Sequence, residues 1–116
     1  MKITLIKAEE LYDLRHEILR PNLPFEDIVY DTDQLEGTFH VGAYDGQRLV
    51  SIASFNEDRF EGLESENQYR LRAMATHPDY RKMGVGRRLI EFAMAILVEK
   101  DSELLWCKGR TSVQGY

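Results

Sequence analysis

Residues 68–107 constrain this chain more than any other stretch, because they lay down a strand, a stop, a helix and a second strand in succession. Gln68–Thr76 reads as a strand, and Pro78, which has no amide proton to give to a ladder, ends it. Helical spacing then takes over. Val85, Leu89, Phe92, Ala93, Ile96 and Leu97 fall on one stripe, opposite Arg87, Arg88, Glu91 and Glu99. Residues 104–107 are a short apolar strand. A strand–helix–strand unit sets its two strands parallel with a right-handed crossover, so the expectation is a mixed sheet with a helix on its face.

The residues before this unit read as antiparallel structure. Ile3, Leu5 and Ile6 form a short first strand, and residues 8–19 place Leu11, Leu14 and Ile18 at helical spacing. Pro21 and Pro24 stop that helix, and residues 22–37 predict an irregular connection with one helical turn. Residues 38–44 and 48–55 are β-branched, aromatic or small with Asp45-Gly46 between them, which predicts a hairpin. Residues 56–67, with Glu57, Asp58, Glu61, Glu64 and Glu66, read as a solvated turn before the third strand of this meander.

A chain of 116 residues with 43% hydrophobic content is long enough for one core, and residues 1–116 are read as a single domain. The net charge of -5 repels a phosphate backbone, so nucleic acid is not expected as a partner. Residues 92–98, the longest apolar run, are too few to cross a bilayer, and the first residues lack the apolar region of a signal peptide. The expected location is therefore cytoplasmic, with no membrane partner. Cys107 is the one cysteine and His16, His40 and His77 are scattered, so neither a disulfide within the chain nor a metal site is expected.

Chemistry concentrates where the strand ends and the helix begins, at Met74-Ala75-Thr76-His77-Pro78-Asp79-Tyr80-Arg81-Lys82-Met83-Gly84-Val85-Gly86-Arg87-Arg88-Leu89. A helix start has unpaired N–H groups and a partial positive charge, and glycines at alternate positions let a diphosphate approach the backbone. A Gly-x-Gly pair is by itself as consistent with a tight turn. Here Arg81, Lys82, Arg87 and Arg88 place four of the chain's fifteen cations in eight residues, which fits a polyanionic ligand better than a solvated helix face. The loop lacks the Gly-Lys-Ser/Thr of a P-loop and the third glycine of a dinucleotide fingerprint.

Arg81-x-x-Gly84-x-Gly86, preceded by Ala75-Thr76-His77-Pro78 and followed by an amphipathic helix, resembles the acetyl-CoA motif of the Gcn5-related N-acetyltransferase (GNAT) family. The order of elements along the rest of the chain is similar to that family's first five strands, and residues 107–113 resemble its fifth strand and the loop after it. The resemblance implies a GNAT-like α/β (α+β) fold: a mixed, mostly antiparallel sheet flanked by helices, lacking the last helix and the final strand pair, and so incomplete at the C-terminus. It implies that backbone groups of Arg81, Lys82, Met83, Gly84, Val85, Gly86 and Arg87 hold the diphosphate, while those of Met74, Ala75 and Thr76 pair with the pantetheine arm. Acetyl-CoA is then the co-substrate and an unidentified primary amine the acceptor, joined by direct attack in a ternary complex.

The match thins at the catalytic residues. The family's thiolate-protonating tyrosine sits early in a last helix, and Tyr116 falls beside that position. Glu57, Glu64, Glu66 and His77 are the candidate general bases, each also readable as a solvated or loop residue. Lys108-Gly109 stands where an asparagine and alanine are common in the family. Cys107, Trp106, Phe92 and Tyr69 read as packing residues. The alternative functions are a non-catalytic acyl-CoA-binding module and, more remotely, a structural subunit. With the closing elements missing, residues 104–108 would present an open strand edge, from which a homodimer is expected.

Overall fold

The computed structural model describes residues 1–57, 68–100 and the strand at 104–106. The chain order is β1 (Lys2–Ile6), α1 (Ala8–Leu19), two single 3-10 turns (Phe25–Ile28 and Asp31–Gln34), β2 (Phe39–Asp45), β3 (Arg48–Glu57), β4 (Gln68–Thr76), a 3-10 turn (Pro78–Tyr80), α2 (Val85–Glu99) and β5 (Leu104–Trp106). The strands form one sheet in the order β1-β2-β3-β4-β5, antiparallel throughout except for β4 and β5, which run parallel.

The two helices cover opposite faces. On one, Val85, Leu89, Ile90, Ala93 and Leu97 of α2 pack on Val41, Ala43, Val50, Ala53, Phe55, Tyr69 and Leu71 of the sheet. On the other, Leu11 and Leu14 of α1 meet Ile6, Ile52 and Ala75. Leu11, Leu89, Val41, Val50 and Phe55 are fully enclosed, and each such side chain contributes about 1.5–3 kcal/mol by leaving water. Tyr69 packs as expected, its phenol donating to the Gly37 carbonyl at 3.0 Å; Phe92 is half-buried against the same cluster.

The structure departs from the sequence reading in two places and adds a third feature that the reading did not address. The connection at 22–37 carries two helical turns where one is expected. Asn56 and Glu57 belong to β3 and not to a solvated turn, and Asn56 is buried. Most consequentially, Arg15 on α1 is fully buried, although its charge marks it for the outside of that helix. Its guanidinium takes both carboxylate oxygens of Asp33, at 2.7 and 3.1 Å, and donates to the Ile28 carbonyl and to Ser54 Oγ.

His40 completes this network, with Nδ1 2.7 Å from Ser54 Oγ and Nε2 3.1 Å from the Asp33 carbonyl. A carbonyl only accepts, so Nε2 carries the proton and Nδ1 accepts from Ser54. Burial pushes the His40 pKa below its ordinary 6.5. Arg15, Asp33, Ser54 and neutral His40 thereby tie the 22–37 connection to the sheet through groups that have left water together.

Candidate functional site

The segment between β4 and α2 is braced before it becomes irregular. His77 N–H donates to the Val50 carbonyl at 2.7 Å, and the Tyr80 phenol donates to Asp45 Oδ2 at 2.6 Å across to the β2–β3 turn. That hydrogen bond, with the loss of water and the carboxylate charge beside it, holds the phenol pKa above 10. Arg81 folds back twice: its N–H donates to the Pro78 carbonyl and its Nε to the Thr76 carbonyl.

Beyond Arg81 the chain turns through left-handed backbone at Lys82 (φ 66°) and again at Gly84 (φ 75°), and α2 begins at Val85. A non-glycine residue at positive φ is strained, and such strain collects where a ligand or a turn demands it. Gly84 caps the helix without a side chain. The first amide to find a partner is Arg88, donating to the Gly84 carbonyl at 3.1 Å. The N–H groups of Lys82, Met83, Gly84, Val85, Gly86 and Arg87 have no acceptor among the described residues. A run of unpaired amides on left-handed backbone at a positive helix end makes an anion-binding concavity. No acidic residue stands in the first turn of α2 to oppose it.

The four cations differ in use. Lys82 and Arg88 are exposed beside this concavity, Arg81 is tied to Thr76, and Arg87 pairs with Glu91 at 3.0 Å. The two glycines also differ. Gly84 needs its freedom for positive φ and has open space around it, whereas a Cβ on Gly86 would lie 3.6 Å from Met74 Cε and 3.9 Å from Thr76 Oγ1, an ordinary contact under the helix. The expected cradle therefore begins at Lys82, since the Arg81 amide is spent inside the loop, and its glycine requirement falls on Gly84.

The flank of β4 supplies the second part of the site. His77 pairs with Val50, so by alternation Ala75 and Ala73 also bond to β3, and the main-chain groups of Met74 and Thr76 point the other way. Of the three residues expected to offer main-chain groups there, Ala75 is thus turned toward β3. β5 pairs with Gln68–Arg70 and with nothing further along β4 among the described residues. Between these regions Arg72 is an extra residue: Ser54 faces Ala73 and Phe55 faces Leu71, so β4 bulges at Arg72. The result is a strand paired at one end, open at Met74 and at the Thr76 N–H, with the Thr76 carbonyl taken by Arg81 Nε, and leading to a helix start with unpaired amides.

Of the expected proton carriers, His77 has both ring nitrogens facing donors, Nε2 at 2.9 Å from Arg48 Nη2 and Nδ1 at 3.2 Å from the Asp79 amide. Arg48 can only donate, so Nε2 is engaged as an acceptor, and Nδ1 lies beside the Asp79 backbone with Asp79 Oδ2 3.8 Å away. Glu57 is exposed and its Oε1 accepts from Tyr69 at 3.3 Å. Glu64, Glu66, Cys107, Lys108 and Tyr116 lie outside the described residues. Two features were not anticipated: the Tyr80–Asp45 brace, which joins residues 35 positions apart and leaves no local pattern, and Arg72 with Tyr30, whose ring lies 5.7 Å from the Arg72 guanidinium. No group of three or more His, Cys, Asp or Glu that could hold a metal occurs among the described residues, and no described helix is long and apolar enough to cross a membrane.

Comparison with known proteins bears on this geometry directly. The model of the acetyltransferase (GNAT) family matches residues 8–114. The uncharacterized N-acetyltransferase YitI of Bacillus subtilis (strain 168) is 39% identical over 116 residues, covering 100% of this chain and 78% of its own. Among solved structures, the aminoglycoside N-acetyltransferase AAC(6')-Iy in complex with CoA superposes with a TM-score of 0.79 at 18% identity, over 96% of this chain and 78% of that one. The ribosomal-protein-alanine N-acetyltransferase of Brucella melitensis biovar Abortus 2308 gives 0.73 at 18% identity, over 98% and 84%. Such identities establish a shared fold, while the family match and the relative at 39% establish descent. The chain belongs to the GNAT acetyltransferase family, and is an acetyl-CoA-dependent acetyltransferase.

Proposed function

We propose that this chain moves an acetyl group from acetyl-CoA to a primary amine by direct attack within a ternary complex. The observation that carries the reading is the run of unpaired amides from Lys82 to Arg87 around left-handed Lys82 and Gly84. These N–H groups would hold the diphosphate, with Lys82 and Arg88 adding charge. The outward main-chain groups of Met74 and the N–H of Thr76 would pair with the amides of the pantetheine arm, which directs the arm along β4 toward the bulge at Arg72. When bound, acetyl-CoA supplies a thioester as electrophile. The chain's own contribution is to hold amine and thioester together and to place a strand N–H against the carbonyl oxygen, which carries the developing charge.

The neutral amine is the nucleophile, so a group must take its proton. Tyr116 is retained as proposed acid from the family resemblance, and Glu66 as proposed base from its place in the sequence just before β4, with Glu57 as a second base at the end of β3. A homodimer across β5 is retained on one observation: β5 has β4 on one side and no described strand on the other. The test of the transfer reading is thiol release from acetyl-CoA with a panel of primary amines, wild type against Gly84→Glu. A bulky anion on left-handed backbone at the cradle should abolish turnover and CoA binding together. Unchanged CoA affinity in that variant would remove the assignment, and CoA binding without turnover of any amine would favour the non-catalytic acyl-CoA-binding alternative.

A further inference from the structure

We propose that the acceptor amine carries an anionic group, carboxylate or phosphate, and that Arg72 binds it; this inference rests on the acetyl-transfer reading above. Arg72 is the bulged residue of β4 and is half-buried. Arg15, fully buried on the same face, has its charge matched by both oxygens of Asp33. Arg72 has no carboxylate in ion-pair range among the described residues, and its guanidinium has for company the Tyr30 ring at 5.7 Å. The same ring already takes the Arg15 guanidinium at 4.1 Å, so Arg72 shares a partner with another cation. His40 is neutral and filled by Ser54 and Asp33, and adds no compensating charge. A partly desolvated cation without an anion is unfavourable unless a ligand supplies one.

Its position says which ligand. From Thr76 to Arg72 the strand advances about 13 Å at about 3.3 Å per residue, comparable to an extended pantetheine arm. The arm would run in the plane of the sheet beyond Met74, and β5 closes the gap at Gln68–Arg70. α2 covers one face. The amine therefore enters from the α1 face, where Arg72 and Tyr30 stand. A guanidinium offers a carboxylate or a phosphate two parallel N–H donors, which fixes orientation as well as charge. The acceptor class is then a primary amine with an anion a short chain away from its nitrogen.

The experiment compares matched pairs as acceptors: β-alanine against propylamine, and O-phosphoethanolamine against ethanolamine. Charge-assisted hydrogen bonds of this kind discriminate about 10- to 100-fold, so the anionic member of at least one pair should show that advantage in kcat/KM, expressed in the KM for amine. Which pair shows it separates carboxylate from phosphate. In Arg72→Gln the ratio should fall toward one, and in Arg72→Lys part of it should survive. A purely structural role would instead raise the KM for acetyl-CoA and lower the unfolding midpoint with the ratio intact. Wild-type turnover of both members at equal kcat/KM overturns the inference while leaving acetyl transfer standing. Calorimetry of the same four amines on the CoA-loaded chain reads binding without turnover. Tighter binding of an anionic member, lost in Arg72→Gln, sustains the inference even where transfer fails; equal binding overturns it.

Discussion

Gly84 and Gly86 look alike in the sequence and should behave oppositely when each is replaced by alanine. At Gly84 the backbone sits at φ 75°, and an added Cβ meets nothing within 4 Å, so no new contact offsets the strain. Left-handed backbone costs an L-residue about 1–2 kcal/mol, and Gly84→Ala should lose that much stability. Gly86 lies inside α2, and its Cβ would make ordinary contacts with Met74 and Thr76. Replacing glycine where the conformation suits alanine stabilises by about 0.4–1 kcal/mol, chiefly by restricting the unfolded chain. The two variants should therefore differ by about 1.5–3 kcal/mol in urea unfolding at equal slope. CoA affinity should fall in Gly84→Ala and hold in Gly86→Ala, whose methyl group lies under the helix. Equal destabilisation of both, or a neutral Gly84→Ala, would refute the account of the loop.

Asp33→Ala leaves the Arg15 guanidinium buried without its anion, and should destabilise by about 3–5 kcal/mol in denaturant unfolding; the double variant with Arg15→Met should recover much of that. His40 has its pKa lowered by burial, so between its folded value and the ordinary 6.5 the unfolded chain binds more protons than the folded one. Its contribution is present above 6.5 and is lost as pH falls through that window, and His40→Gln should flatten the slope of unfolding free energy against pH there.

Much of this fold is legible before any coordinates. α1 and β4 occupy residues 8–19 and 68–76 as read, because a strong period with proline close behind leaves little choice of boundary. The parallel pairing of β4 with β5 follows from the helix between them. What escaped was set by contacts distant in sequence. Arg15 is buried because Asp33 and Ser54 meet it from 18 and 39 positions away, and no helical stripe records such partners. The bulge at Arg72 is a register event between two strands, with no trace in the alternation of either. The cradle was legible as a glycine pattern, but the split between Gly84 and Gly86 depends on dihedral angles, as does the use of the Arg81 amide inside the loop. The candidate acid was named from a resemblance and the candidate base from an acid-rich stretch, and Tyr116 and Glu66 lie outside the described residues.

Whether CoA sits on the 82–87 amides is read by a titration of the uniformly 15N-labelled chain with CoA, followed amide by amide. The largest shifts should fall on Lys82 through Arg87, with a second set at Met74 and Thr76, while amides of the α1-side cleft of about 300 Å³ lined by Lys7, Glu9, Gln34 and Thr38 stay in place. Shifts centred on that cleft, with the 82–87 amides unmoved, would contradict that placement.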